Sequence, residues 1–312
     1  MARAFTQAQL IQSIRDEGNF NPGPNGFISD AMLATWINQG ISALQAKMVG
    51  ANEDYFLKTI GAIAMTSGQS IYNLPWDAWK GRGIDVSTDP NFVSDVNTAR
   101  PFNWKQRNMY NTAMGIYSFL GSTNLRYKFL PGTPLQIKFI PPNAPGNLNV
   151  QVWYLPEAPI LVATMPGAYN TGTPTAVTLN QLVKVTLNGV AQVFSCMVPG
   201  TTGGSPVWNV PGVTADGGTV VWAYVGPLSL YTQVWDGFNG WEEYVNCYAA
   251  LKGQDKQQKD TNVMQGRLAL LEARILEETR NVDEDESDFI VDSYYQDGNT
   301  GGLGGFGGGW FG

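Results

Sequence analysis

The sequence predicts an α+β protein: an amphipathic helical bundle drawn from both ends of the chain, an antiparallel β meander, and a small inserted all-β module. Three observations predict it. Apolar residues recur at three- and four-residue steps in the first fifty residues and again from Trp241 to Ile275, which is the spacing of a helix face. Between residues 60 and 156 the spacing falls to two, the period of a half-buried strand. From 161 to 235 the composition changes: Lys184 is the one basic residue, and Gly, Thr, Pro and Val dominate. The expected organisation is 1–60 with 237–283 as helical core, 61–160 as meander with irregular aromatic-rich loops, 161–236 as inserted module, and 284–312 as an acidic, then glycine-rich arm.

The elements follow in order. Thr6 with Gln9 three residues later makes a capping box, and Leu10, Ile11 and Ile14 form the stripe of a first helix that ends by Gly18. Residues 19–26 read Asn-Phe-Asn-Pro-Gly-Pro-Asn-Gly, a loop on turn chemistry alone. Ser29 is a favourable N-cap, and Asp30 behind it suits the positive end of the helix dipole. Met32, Leu33, Trp36, Ile37, Ile41, Leu44 and Met48 then line one face of a second helix. Residues 60–65 and 71–74, on either side of Ser67-Gly68, predict a hairpin. Residues 76–117 read as irregular. Residues 126–129, a turn at Pro131-Gly132, residues 135–140 and residues 148–156 complete the meander. In the module, 181–187 and 192–196 flank Asn188-Gly189, a strong hairpin signal. Thr219 to Trp222 follows a turn at Asp216-Gly217-Gly218.

Residues 241–281 read as one helix with a polar middle at 252–262, or as two helices broken near Gly253. An unbroken version would span about 60 Å at ~1.5 Å per residue. Seven of the twelve residues 277–288 are acidic, which is unfavourable at a helix C-terminus, so the helix is expected to stop near Asn281. Residues 301–312 hold eight glycines with Leu303, Phe306, Trp310 and Phe311. Plain disorder accounts for the glycines, and anchors for a neighbour's groove account for the apolar residues.

Composition excludes several functions. A net charge of −7 argues against binding nucleic acid by phosphate neutralisation. The chain has no histidine, so a Ser-His-Asp arrangement is impossible in it. Cys196 and Cys247 fit no metal spacing and read as buried free thiols. No phosphate loop or nucleophile elbow occurs. Asp283, Asp285 and Asp288 lack the glycine and closing glutamate of a calcium loop. Glu242 and Glu243, adjacent on a helix, point apart and read as first-turn dipole complements. No cofactor, metal or catalytic residue is expected. No apolar run approaches the ~18 residues of a membrane helix, so no membrane partner is expected. The aromatic and basic stretch 76–107, with Lys80, Arg82, Arg100, Lys105 and Arg107, has two readings. It stacks single-stranded nucleic acid, or it is core and interface with snorkelling basic residues; the acidic balance favours the second.

The order of the motifs resembles a known family. Leu10-Ile11-x-x-Ile14-Arg15-Asp16-Glu17 is followed by Ile28-Ser29-Asp30-x-x-Leu33-x-x-Trp36-Ile37-Asn38-Gln39. Then come Ile71-Tyr72-Asn73-Leu74-Pro75, Leu135-x-Ile137-x-Phe139-x-Pro141, Val152-Trp153-Tyr154-Leu155-Pro156 and Trp241-Glu-Glu-Tyr244-Val245. This is similar to the head-to-tail connector, or adaptor, proteins of tailed bacteriophages. The resemblance implies a structural subunit of a homo-oligomeric ring, usually of twelve. That ring docks under the portal protein, meets tail or nozzle proteins, and lets double-stranded DNA pass without specific binding. It implies a virion component assembled in the host cytoplasm. Under this reading Trp241, Tyr244, Tyr248, Leu268, Leu271, Ile275, Leu303, Phe306, Trp310 and Phe311 are candidates for the oligomer and portal interface. Glu277, Glu278, Asp283, Glu284 and Asp285 are candidate lumen-facing acids that would repel phosphates.

Residues 161–236 depart from that pattern. Phe194-Ser-Cys-Met, Gly200-Thr-Thr-Gly203-Gly-Ser-Pro206-Val-Trp208 and Ala215-Asp216-Gly217-Gly-Thr219-Val-Val-Trp222 resemble small β modules of phage tail and fibre proteins, akin to carbohydrate-binding modules. The early tryptophan usual there has no counterpart between Trp153 and Trp208. Trp208 and Trp222 are the glycan-site candidates, against a role in the core. The alternative function is thus a fibre- or adhesin-type surface-binding protein. A peptidoglycan-degrading enzyme is disfavoured by the missing histidine and carboxylate pair.

Overall fold

A computed structural model of the protein describes residues 4–20, 27–103, 105, 125–140, 148–170, 175–203 and 206–280. Helix α1 (Gln7–Gly18) opens with the expected capping box: the Gln9 N–H donates to Thr6 Oγ1 at 3.3 Å, and the Thr6 N–H donates to Gln9 Oε1 at 2.8 Å. It closes on Asn19 at φ 51°, a left-handed conformation that asparagine tolerates. Helix α2 (Asp30–Ala51) is capped by Ser29, whose Oγ accepts from the Met32 N–H at 3.3 Å. Buried Arg15 ties the two helices together, its Nε donating to Asp30 Oδ1 at 3.1 Å.

The late apolar stretch forms two helices, α3 (Glu242–Lys256) and α4 (Asn262–Arg280). The break falls at 257–261 rather than at Gly253. Gly253 lies inside α3, where an added Cβ would sit 2.3 Å from Phe20 Cζ. It is a point of close approach, not a hinge. The 60 Å rod is not formed: α4 folds back antiparallel on α3, so that Met264 faces Cys247 and Arg274 faces Trp241. Leu10, Ile14, Leu33, Ile37, Ile41, Leu44, Val245, Leu271 and Ile275 meet in one core. Each such side chain gains about 1.5–3 kcal/mol from burial, which brings together helices nearly two hundred residues apart.

The expected antiparallel strands are present, but in two sheets rather than one meander. In the first, the order is Lys58–Ala64, Asn149–Pro156, Ala78–Ser87, Asn97–Thr98. In the second it is Ile71–Asn73, Gln136–Ile140, Arg126–Leu130, Arg100–Pro101. The hairpin expected from 60–65 and 71–74 is therefore absent. The turn forms, with the Gln69 N–H donating to Thr66 O at 3.0 Å and Gly68 at φ 83°, but it carries the chain from one sheet to the other. Both sheets face one core that includes Met65, Tyr72, Ile84, Val86, Ile137, Phe139, Val150 and Val152. A tight turn serves strands in facing sheets as well as neighbours, and a period of two does not distinguish them.

Residues 78–87, read from sequence as irregular, form a ten-residue strand. Lys80-Gly81-Arg82-Gly83 hides its alternation, which resumes at buried Ile84 and Val86. Two register shifts against Asn149–Pro156 fall in that hidden part, as bulges do. The region that was to hold Trp104, Arg107, Tyr110 and Tyr117 lies outside the described residues.

Beyond residue 161 a five-stranded sheet runs Gly167–Ala168, Leu182–Leu187, Val190–Val198, Val221–Pro227, Val213–Ala215. Its predicted hairpin turn has Asn188 at φ 50° and Gly189 at φ 79°, the two positive angles that match strand twist. Ile160–Leu161 pairs in parallel with Tyr231–Thr232, so the chain enters and leaves this stretch side by side. The α+β class stands.

Candidate functional site

The helix face singled out by apolar spacing is turned inward. Trp241, Tyr244, Leu271 and Ile275 are buried, and Tyr248 and Leu268 pack against the same core. Arg274 lies over the Trp241 ring at 5.3 Å from its centroid, and Tyr244 stacks on Tyr248 at 6.3 Å. Burial and then Glu272 push the Tyr244 phenol well above its ordinary range. Within the single chain these six side chains fill or flank the helical core. What α4 shows to solvent is the opposite row. Val263 is 82% and Leu270 75% exposed, with exposed Gly266 and Ala273 completing it. In sequence this row is masked by the stronger stripe of the same helix, with which it interleaves.

Glu277 and Glu278 are exposed on the last turns of α4, Glu278 accepting from Arg274 Nε at 2.8 Å. Asp283, Glu284 and Asp285, and likewise Leu303, Phe306, Trp310 and Phe311, lie outside the described residues.

The glycan candidates are packed together in the five-stranded unit. Trp222 is fully buried, and Trp208 lies 4.4 Å from the Phe194 ring and 5.0 Å from the Tyr169 ring. A sugar platform needs an open ring face, and Trp222 has none; it is core. The group is pinned by Asp216, also buried, whose carboxylate accepts from Trp222 Nε1 at 3.2 Å, from Tyr169 Oη at 2.9 Å and from the Gly203 N–H. Burial, then this carboxylate, push the Tyr169 phenol up to about 12.

In the described part of the aromatic and basic stretch, two side chains make structural contacts. Trp76 packs edge-on against Tyr224 at 5.9 Å. Arg82 pairs with Glu53, and its Nη2 with Asp54 at 3.0 Å. Cys196 and Cys247 are buried and free, and burial lifts the Cys247 thiol to about 11. Among the described residues, no cluster of His, Cys, Asp or Glu is arranged to hold a metal ion. No helix among them is long and apolar enough to cross a membrane.

Among the described residues, two concavities border the helical core and α2. A cavity of 590 Å³ lies between the helical core, the first sheet and residues 228–238, walled by Gln45, Tyr55, Phe56, Pro156, Trp235 and Phe238. The indole nitrogen of buried Trp235 has no acceptor among the described residues. A groove of 410 Å³ runs along the outside of α2, lined by Ser42, Gln45, Ala46, Trp79, Ala158 and Ile160, with Glu157 the one charged residue. Burial and then Asp77 raise the Glu157 carboxyl above its ordinary range.

A family model described as SU10 adaptor protein matches residues 5–184. That span takes in α1, α2, both four-stranded sheets and the first strands of the five-stranded sheet. It reaches into the stretch set apart at 161 and leaves out α3 and α4. No curated protein matches the chain.

Proposed function

The chain belongs to the SU10 adaptor protein family and is a structural adaptor of a bacteriophage, and from this premise we propose that copies of it form a ring in the phage neck. The ring docks under the portal protein, meets the tail or nozzle, and lines part of the path of the DNA. The family match across α1, α2 and both sheets carries this reading.

The physical properties support it. The helical core closes on itself, giving a preformed body suited to repeated contacts of one kind. The acidic excess lies in residues 283–297, where seven carboxylates face no basic residue; such a segment favours passage of phosphates without adhesion, and it is assigned to the lumen together with exposed Glu277 and Glu278 just before it. The role is structural rather than catalytic. Residues 161–236 are an insertion, in keeping with the paired entry and exit strands, and they decorate the ring or join subunits. The fibre-type alternative loses Trp222, which is enclosed, and keeps half-buried Trp208. Residues 301–312 serve as an anchor on a neighbouring ring protein.

Negative-stain images of the protein mixed with its candidate portal test the proposal. Annular complexes are expected; isolated monomers alone would overturn it. Deleting 301–312 should leave the subunit folded and impair co-sedimentation with portal. Wild-type docking by the truncated chain would remove the anchor role.

A further inference from the structure

We propose that the acidic segment 283–297 lies across the outer face of the second four-stranded sheet of the same chain. Its role, keeping DNA from adhering by covering a strongly basic face, rests on the lumen reading above.

The receiving face follows from the strand register. Tyr72, Tyr127, Phe129, Ile137 and Phe139 point into the core shared by the two sheets, so the residues that alternate with them point the other way. There Arg100 stands opposite Arg126 on the neighbouring strand, and Lys128 stands opposite Lys138. Like charges directly opposite one another are unfavourable, and two such pairs share this face. Arg100 is exposed and the other three are half-buried. None of the four strands carries an acid, and residues 96–156 as a whole hold six basic residues and no acid.

The chain supplies the complement. Residues 1–280 are balanced, 19 basic against 19 acidic, so the seven carboxylates of 283–297 are the whole of the net charge. They repel one another, and no base in the segment relieves them. These are the two strongest runs of one sign in the sequence, and their signs are opposite. The basic residues of the helical core are matched within the fold: Arg15, Lys47, Arg267 and Arg274 each pair with a carboxylate.

The pattern favours the segment over nucleic acid as occupant. Phe289, Ile290, Val291, Tyr294 and Tyr295 stand among the carboxylates. On the sheet, Ile71, 40% exposed, stands opposite Lys138, and half-buried Leu130 follows Lys128 on the same face. A duplex backbone offers charge alone; the segment offers charge with apolar side chains. It is also attached. Residues 281–297 span up to about 55 Å at ~3.3 Å each, and attachment supplies an effective concentration on the order of millimolar.

Carbodiimide joins a carboxylate to an amine where the two already touch. In the dilute full-length chain it should link residues 283–297 to Lys128 or Lys138, as located by mass spectrometry, and high salt should abolish the link by screening. Links to other lysines alone, or none, overturn the proposal. Replacing the seven carboxylates by their amides in the full chain should free the face. Affinity for a short DNA duplex at low salt should then rise about tenfold or more, as basic side chains become free to meet phosphates. Adding Lys128→Gln and Lys138→Gln should remove that rise. A wild-type chain that binds duplex as tightly as the amide variant would show nucleic acid to be the occupant and overturn the proposal. None of these measurements needs a portal: a missing link with rings present removes this contact alone, and a link without rings leaves the contact standing while the ring reading falls.

Discussion

The indole N–H of Trp222 donates to Asp216 Oδ2 at 3.2 Å, and the phenol of Tyr169 donates to the same oxygen at 2.9 Å. With the Gly203 N–H on the other oxygen, one buried carboxylate holds three donors, of which the Trp222 indole N–H is fully enclosed. Asp216→Asn offers a single acceptor oxygen and brings two hydrogens of its own. An unmet buried donor costs about 1–3 kcal/mol. The variant should unfold at correspondingly lower urea, followed by tryptophan fluorescence; a midpoint equal to that of the wild type would count against the assignment.

Two helical glycines should respond in opposite directions. At Gly253 a methyl would collide with the Phe20 ring, and Ile28 Cδ1 is 3.1 Å away. Gly253→Ala should destabilise by about 1–3 kcal/mol through overpacking. At Gly266 nothing lies within 4 Å, and replacing glycine in a helix interior gains up to about 1 kcal/mol. Gly266→Ala should therefore raise the melting temperature. Equal effects at both sites would refute the packing described for α3.

Glu17 carries a pH signature. Burial raises its carboxyl above the ordinary value, and Glu243 adds to this, against the pull of Arg267. The folded state thus binds this proton more readily than the unfolded chain does. The group's contribution to stability is complete below its unfolded pKa and is lost as pH rises through the folded one. Glu17→Gln lacks that loss. The stability difference, variant minus wild type, should grow in the variant's favour from pH 4 upward, as measured by denaturation at several pH values. A difference that is flat or falls with pH would contradict the sign.

The two thiols should be silent in the native protein. Cys196 and Cys247 are buried, and burial raises both, Cys247 to about 11. The thiolate is the reactive form. A thiol reagent at pH 8 should modify neither until denaturant is added, and then both. Rapid native-state modification would mean that the helical core opens more readily than its packing suggests.

Much of the local structure was legible. Thr6 with Gln9, Ser29 with Asp30, and Asn188 with Gly189 each act within a few residues, and each behaves in the fold as its chemistry dictates. The strand at 78–87 was not legible, because Lys80 to Gly83 combines charge, glycine and a bulge. The bareness of Leu270 was hidden as well: Leu268, Leu270 and Leu271 read alike in sequence, and only the packing of α4 against α2 and α3 separates them.

By itself the sequence determined where the helices lie and most of the longer strands, where several of them start, and the absence of histidine chemistry. Capping, turn chemistry and periodicity act over a few residues, so they survive without knowledge of the rest. Only the tertiary structure decided that Ile71–Asn73 joins a different sheet from Lys58–Ala64, that Trp222 is core, and which row of α4 faces out. A period fixes how a side chain points from its own element. The partner on that side comes from distant parts of the chain, as Ile160 against Tyr231 does, and is chosen by the burial of the whole.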